Sequence, residues 1–121
     1  MSATDVTIYH NPSCGNSRNT LALLRERGIE PVVIEYLKTP PDRQTLLDIL
    51  KKARLTPREL LREKDVEKLN LGDSSQWSDD EIIDRMLEHP ILINRPIVVT
   101  PLGAGLGRPP ENVLKILPPE R

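Results

Sequence analysis

Phenylalanine is absent from these 121 residues, and the only aromatics are Tyr9, Tyr36 and Trp77. Any core must therefore be made mainly of Leu, Ile and Val. Cysteine occurs once, at Cys14, which excludes an internal disulfide framework and a zinc site of the multi-cysteine kind. Long apolar runs are missing as well. Stretches such as Pro96 to Val99 and Ile91 to Ile93 fall far short of the roughly 18 to 20 residues of a membrane span. The opening MSATDVTIYH has neither a basic flank nor an apolar stretch of signal-peptide length, so a cytoplasmic location is expected. Charge of one sign is lacking too. With 17 basic and 18 acidic residues the net charge is −1, which provides no nucleic-acid footprint and no polybasic patch for a membrane surface. What the chain has in quantity is proline, 12 residues of it. A hydrophobic share of 37% with 29% charged residues describes a globular chain, and the length suits a single domain spanning residues 1–121.

Sheet signals sit at the two ends and helix signals in the middle. Val6 and Ile8 belong to a short β-rich run closed by the turn sequence His10-Asn11-Pro12-Ser13. A helix is expected from about Ser17 to Arg27, stopped by Gly28, and a second strand over Pro31 to Tyr36. Strand, helix and strand within about 30 residues make a βαβ unit with parallel strands. After Pro40-Pro41, Asp42 is a candidate cap for a helix through Leu46, Leu47, Ile49 and Leu50. Thr56-Pro57-Arg58-Glu59 opens another helix in capping-box fashion, and Ser78-Asp79-Asp80-Glu81 opens a third that buries Ile82, Ile83, Met86 and Leu87. Arg95 to Thr100 reads as a strand, the glycines at 103, 105 and 107 as a hairpin turn into a short last strand, and Pro110 to Leu117 as a closing helix. This order, βαβ, helices, then ββα, is the plan of an α/β thioredoxin-like fold: a mixed sheet with a helical insertion at about residues 42–90.

Cys14 is the first candidate for chemistry because it stands where a strand hands over to a helix. Free amides and partial positive charge at a helix N-terminus stabilise a thiolate, lowering its pKa from about 8.5 to roughly 3.5 to 7.5. Placement alone leaves a buried structural cysteine as the other reading. The following Gly15-Asn16-Ser17 makes the motif C-x-x-S, so disulfide chemistry would have to recruit an outside thiol. Ser17 could donate to the thiolate or simply cap the helix. Arg18 could add charge or be an ordinary exposed arginine. His10 could tune the sulfur or serve as a hydrogen-bonded structural residue, while Asn11 and Pro12 shape the loop. Arg95-Pro96 is a candidate cis bond, and in this fold class such a proline lies beside the active cysteine. Arg62 and Arg108 taken singly read as solvated charges. Converging with Arg95 on one thiolate, they would form an oxyanion pocket, since guanidinium forks match tetrahedral oxyanions. Trp77 and His89 read as packing or capping residues. No G-x-G-x-x-G pattern accompanies the glycines.

These residues resemble the glutaredoxin-coupled arsenate reductases of bacteria. Ile8 to Leu21, IYHNPSCGNSRNTL, is similar to that family's active-site segment almost residue for residue, and His89 to Leu102, HPILINRPIVVTPL, is its counterpart. Arg58-Glu59-Leu60-Leu61-Arg62 and Gly107-Arg108-Pro109 also fit, so the resemblance spans Val6 to Leu117; the C-terminus stops at Arg121 where some members continue. The resemblance implies that Cys14 is the catalytic nucleophile, that Arg62, Arg95 and Arg108 bind the oxyanion, and that His10, Ser17 and Arg18 tune the thiolate. It implies a role in arsenical resistance: arsenate is reduced to arsenite, with glutathione as co-substrate, glutaredoxin as protein partner, and no bound cofactor or metal. The small size and near-neutral charge favour a monomer. Two alternatives stand beside this reading. One is a glutathione-dependent thiol oxidoreductase of the same fold without arsenate activity, against which the three arginines count. The other is a redox-responsive regulator binding RNA polymerase, against which Ser17 counts, because such regulators sense oxidation through C-x-x-C.

Overall fold

The computed structural model describes residues 5–118 and turns the first β-rich run into one of the two inner strands of a four-stranded sheet. Strand β1 (Thr7–His10) pairs in parallel with β2 (Val32–Glu35), Thr7 opposite Val32 and His10 opposite Glu35. On its other side β1 pairs antiparallel with β3 (Ile97–Thr100), which turns through a hairpin into β4 (Gly103–Leu106). The order β2-β1-β3-β4 is the mixed sheet of the thioredoxin-like plan. Side chains alternate along β1, so Ile8 and His10 point to the buried side while Thr7 and Tyr9 are half-buried.

Helix α1 (Gly15–Glu26) connects β1 to β2. It ends in a Schellman turn: Gly28 takes the left-handed conformation, its N–H bonding to Arg25 O and that of Ile29 to Leu24 O. Leu24, on the inner face, meets Val6, Ile8, Val98, Val113 and Leu117 in the core of this unit, with Ile29 packed against them. Burying each such aliphatic side chain contributes about 1.5–3 kcal/mol. The helix begins two residues before the expected Ser17, because Cys14 serves as the N-cap. The closing segment Pro110–Ile116 is a 3-10 helix and not an α-helix. Pro109 and Pro110 have no amide to donate, and the turn closes by three-residue bonds such as Asn112 N–H to Pro109 O.

Contacts divide the chain into two units: residues up to Thr39 together with those from Arg95 onward, and Pro40–Asn94. The second unit is helical. Asp42 caps α2 (Arg43–Ala53) by accepting the Thr45 N–H, and a capping box between Ser78 and Glu81 starts α5 (Asp79–Glu88). Where one helix was expected after Thr56 there are two, α3 (Pro57–Leu60) and α4 (Glu63–Lys68). The break lies at Leu61-Arg62, where Leu61 forms a β-bridge with Ile93 and Arg62 N–H donates to Leu92 O. This tertiary pairing outweighs the helix propensity of a continuous run. Trp77 stacks under the Arg85 guanidinium, 5.6 Å from its ring centre, and His89 closes the last turn of α5 through its N–H to Arg85 O. Among the described residues no helix is long and apolar enough to cross a membrane.

Candidate active site

The loop between β1 and α1 is held by its own polar groups. Asn11 is buried; its side-chain oxygen accepts the Ser13 N–H at 3.0 Å and its backbone carbonyl accepts that of Cys14 at 3.0 Å. The double anchor presents Cys14 as the N-cap of α1, in extended conformation, where a serine or aspartate oxygen would ordinarily meet the free amides of the first turn. Here the sulfur stands in that position. No side-chain cap hydrogen bond is made, the Arg18 N–H closes the first turn onto Cys14 O at 3.0 Å, and the Ser17 and Asn16 N–H groups act on the thiolate as dipoles aimed at a charge.

Two arginines approach the sulfur from the far end of the sequence. Arg108 Nη1 lies 3.6 Å from Cys14 Sγ and also donates to the backbone oxygen of Arg95 at 3.0 Å. The Arg95 guanidinium, itself buried, interacts with the same sulfur. Both arginines precede a cis X-Pro bond, Arg95-Pro96 and Arg108-Pro109. Partial burial of Cys14 opposes ionisation. The Ser17 amide, the Arg95 and Arg108 guanidinium groups and the Asn16 amide outweigh it, so the thiol pKa falls below the ordinary value.

His10 reaches the site through Ser17. Its Nδ1 lies 2.7 Å from Ser17 Oγ, and Ser17 Oγ accepts the Asn11 N–H at 3.0 Å. A hydroxyl has two lone pairs and a proton, so the direction of the Ser17–His10 bond follows the imidazole tautomer. Burial pushes the His10 pKa down; Glu35 opposes that shift, and Arg25 and Arg18 reinforce it. Ser17 therefore faces Cys14 with its amide, whereas its hydroxyl braces the loop against β1. Arg18 is exposed and donates to Pro12 O at 2.9 Å, closing the loop from outside. An open groove of about 550 Å³ runs along α1 past His10, Arg18, Leu21, Ala22 and Arg25, but Cys14 does not line it.

Arg62 belongs to the helical unit, at the N-terminus of α4. Its Nε donates to Asp65 Oδ2 at 2.7 Å and Nη1 reaches Asn94 Oδ1 at 3.5 Å, an arrangement that holds the guanidinium in one orientation. Asp65 and the Asn16 amide escape sequence reasoning, and Asn94 enters it only as part of the segment His89 to Leu102. The sequence marks Gly107 as a turn glycine, yet its φ is not in the left-handed region, unlike that of Gly103. Among the described residues no group of three or more His, Cys, Asp or Glu side chains is placed to hold a metal ion.

Known proteins are similar to this chain over most of their length. A model of the ArsC family matches residues 9–116. The arsenate reductase of Rhizobium meliloti (strain 1021) is 61% identical over 115 residues, covering 93% of this chain and 81% of its own. An arsenate reductase of Escherichia coli is 56% identical over 117 residues, covering 95% and 82%. The structure of an arsenate reductase from Vibrio cholerae, 50% identical, superposes with a TM-score of 0.86 over 96% of this chain and 100% of that one.

Proposed function

Since the chain belongs to the ArsC family, we propose that it reduces arsenate to arsenite, with the Cys14 thiolate as nucleophile. The observation that carries this reading is the sulfur at the N-cap of α1 with the Arg95 and Arg108 guanidinium groups against it. A thiolate is the attacking form of cysteine, and the cations that stabilise it are the groups a tetrahedral oxyanion seeks. Arg62 is carried over from the family resemblance alone as a further ligand of the anion.

In the first step the sulfur attacks As(V), an S–As bond forms, and hydroxide or water leaves. Glutathione thiolate then attacks the Cys14 sulfur. The S–As bond breaks with its electron pair passing to arsenic, arsenite departs as As(III), and Cys14 is left in a mixed disulfide with glutathione. Glutaredoxin takes over the glutathione and returns Cys14 as thiolate. The two electrons come from outside thiols, as a solitary cysteine requires, and a reducing cytoplasm supplies them. His10, Ser17 and Arg18 hold the loop that presents the sulfur. All of these groups belong to one chain, so a monomer suffices. Phosphate binds the same arginines, and discrimination rests on the easier ligand exchange and reduction of As(V).

The test is arsenate-dependent NADPH oxidation in the presence of glutathione, glutathione reductase and glutaredoxin, with Cys14→Ser as control. Turnover by the parent protein that vanishes in the control is expected. A parent protein that alkylates readily at neutral pH yet shows no arsenate turnover would defeat the substrate assignment, and turnover in the control would defeat the mechanism.

A further inference from the structure

Gly107 is buried between α1 and the start of β3. Its N–H donates to Pro96 O at 3.0 Å, and its carbonyl lies 3.4 Å from the Thr20 hydroxyl, which bonds more closely to Asn16 O at 2.8 Å. The backbone at 107 thus rests on both neighbours at once. A methyl group there would stand 2.9 Å from Pro96 Cγ and 3.0 Å from Thr20 Cγ2, and nearer still to Thr20 Oγ1. Carbon atoms attract one another best at about 3.5–4.0 Å, so these contacts are repulsive. Neither neighbour yields readily. Thr20 is fully buried on a helix, where a β-branched side chain has few rotamers, and the proline ring can shift its Cγ only by changing pucker.

We infer that Gly107 is a positioning residue: its missing side chain lets the end of β4 close onto Thr20 and Pro96, and this closure delivers the Arg108 guanidinium to the Cys14 sulfur. The next residue after the clamp is Arg108, whose Nη1 spans Arg95 O at 3.0 Å and Cys14 Sγ at 3.6 Å. Displacing the backbone at 107 by the few tenths of an ångström to an ångström that a methyl demands carries that group away from the sulfur. The inference rests on the proposed function only for the anion that Arg108 serves. Its test needs no arsenate, so the two can fail separately.

The experiment is the pH profile of iodoacetamide alkylation of Cys14 in Gly107→Ala, Arg108→Ala and the double variant, with folding checked by circular dichroism. Gly107→Ala should raise the alkylation midpoint toward that of Arg108→Ala, lowering the rate roughly 3- to 10-fold at pH values below both midpoints. In the Arg108→Ala background the same change should add nothing, because its effect runs through the missing guanidinium. A native midpoint in folded Gly107→Ala, or additive shifts in the double variant, would overturn the assignment. Should Gly107→Ala fail to fold, Thr20→Ala/Gly107→Ala removes the two threonine contacts and keeps the one to Pro96 Cγ. A midpoint above that of Thr20→Ala alone, with no further rise on adding Arg108→Ala beyond that of Arg108→Ala itself, supports the role; a midpoint equal to that of Thr20→Ala alone, or an additive rise, refutes it.

Discussion

Replacing Arg108 by alanine removes one cation from beside the reacting sulfur and leaves the rest of the loop standing. At the observed 3.6 Å, two unit charges in a medium of effective dielectric about 20 attract by about 4.6 kcal/mol. Solvent reduces this, since Arg108 and Cys14 are both partly exposed; in bulk water the same pair is worth about 1 kcal/mol. A charge-assisted hydrogen bond has a net value of about 1.5–3 kcal/mol. The lower end of that range is appropriate here, and 1.4 kcal/mol corresponds to about one pKa unit. The sign follows from the charge: losing a cation disfavours the thiolate, so the Cys14 pKa rises. Alkylation by iodoacetamide across the pH range reads it directly. The Arg108→Ala midpoint should stand about one unit above that of the parent, and below both midpoints the rate should drop about tenfold. Arg108→Lys should fall between the two, because a compact ammonium keeps the charge but not the planar fork. An Arg108→Ala midpoint indistinguishable from the parent's would refute the claim that this guanidinium stabilises the thiolate.

Arg95→Ala removes the second guanidinium but keeps the backbone oxygen that seats Arg108; steady-state kinetics should show kcat/KM for arsenate reduced about 10- to 150-fold, and unchanged kinetics would remove Arg95 from the anion site. His10 gives a pH signature in stability. Its folded pKa lies below the usual value of about 6.5, so the folded chain binds fewer protons than the unfolded one at acid pH. Stability is therefore full above about pH 6.5 and is lost as pH falls through the folded value. His10→Asn, which keeps an acceptor for Ser17 without a titrating ring, should show a smaller fall in Tm between about pH 7 and pH 5; an equal fall would place the titration elsewhere. Ser78→Ala deletes the side-chain half of the capping box on α5 and should cost about 1 kcal/mol in urea unfolding, whereas no loss would mean that tertiary packing alone holds the helix start.

Much of this protein can be read along the chain because short-range rules decide it. The period-2 run at Val6 and Ile8, the Gly28 stop and the caps at Asp42, Thr56 and Ser78 are local choices, and each appears where the residues call for it. The placement of Cys14 at a strand-to-helix junction belongs with them, since a turn sequence and a helix pattern meet there. The break between α3 and α4 does not, because Leu61 and Arg62 find partners some thirty residues away. The closing segment became a 3-10 helix through its prolines and its packing against the sheet, which a helical period cannot distinguish from an α-turn.

The site divides along the same line. Sequence by itself singled out Cys14 as the candidate nucleophile and, through the family resemblance, the arginines proposed to bind its anion, since one cysteine and a few arginines stand in recognisable segments. Only the tertiary structure decided that Arg95 and Arg108, 81 and 94 positions beyond Cys14, come to its sulfur, that Ser17 faces it with an amide while its hydroxyl binds His10, and that Gly107 must lack a side chain. Each of these depends on atoms brought together by sheet pairing and by the clamp of Thr20 and Pro96. Local propensity acts over one turn or one strand; convergence on a point in space is set by the packing of distant segments.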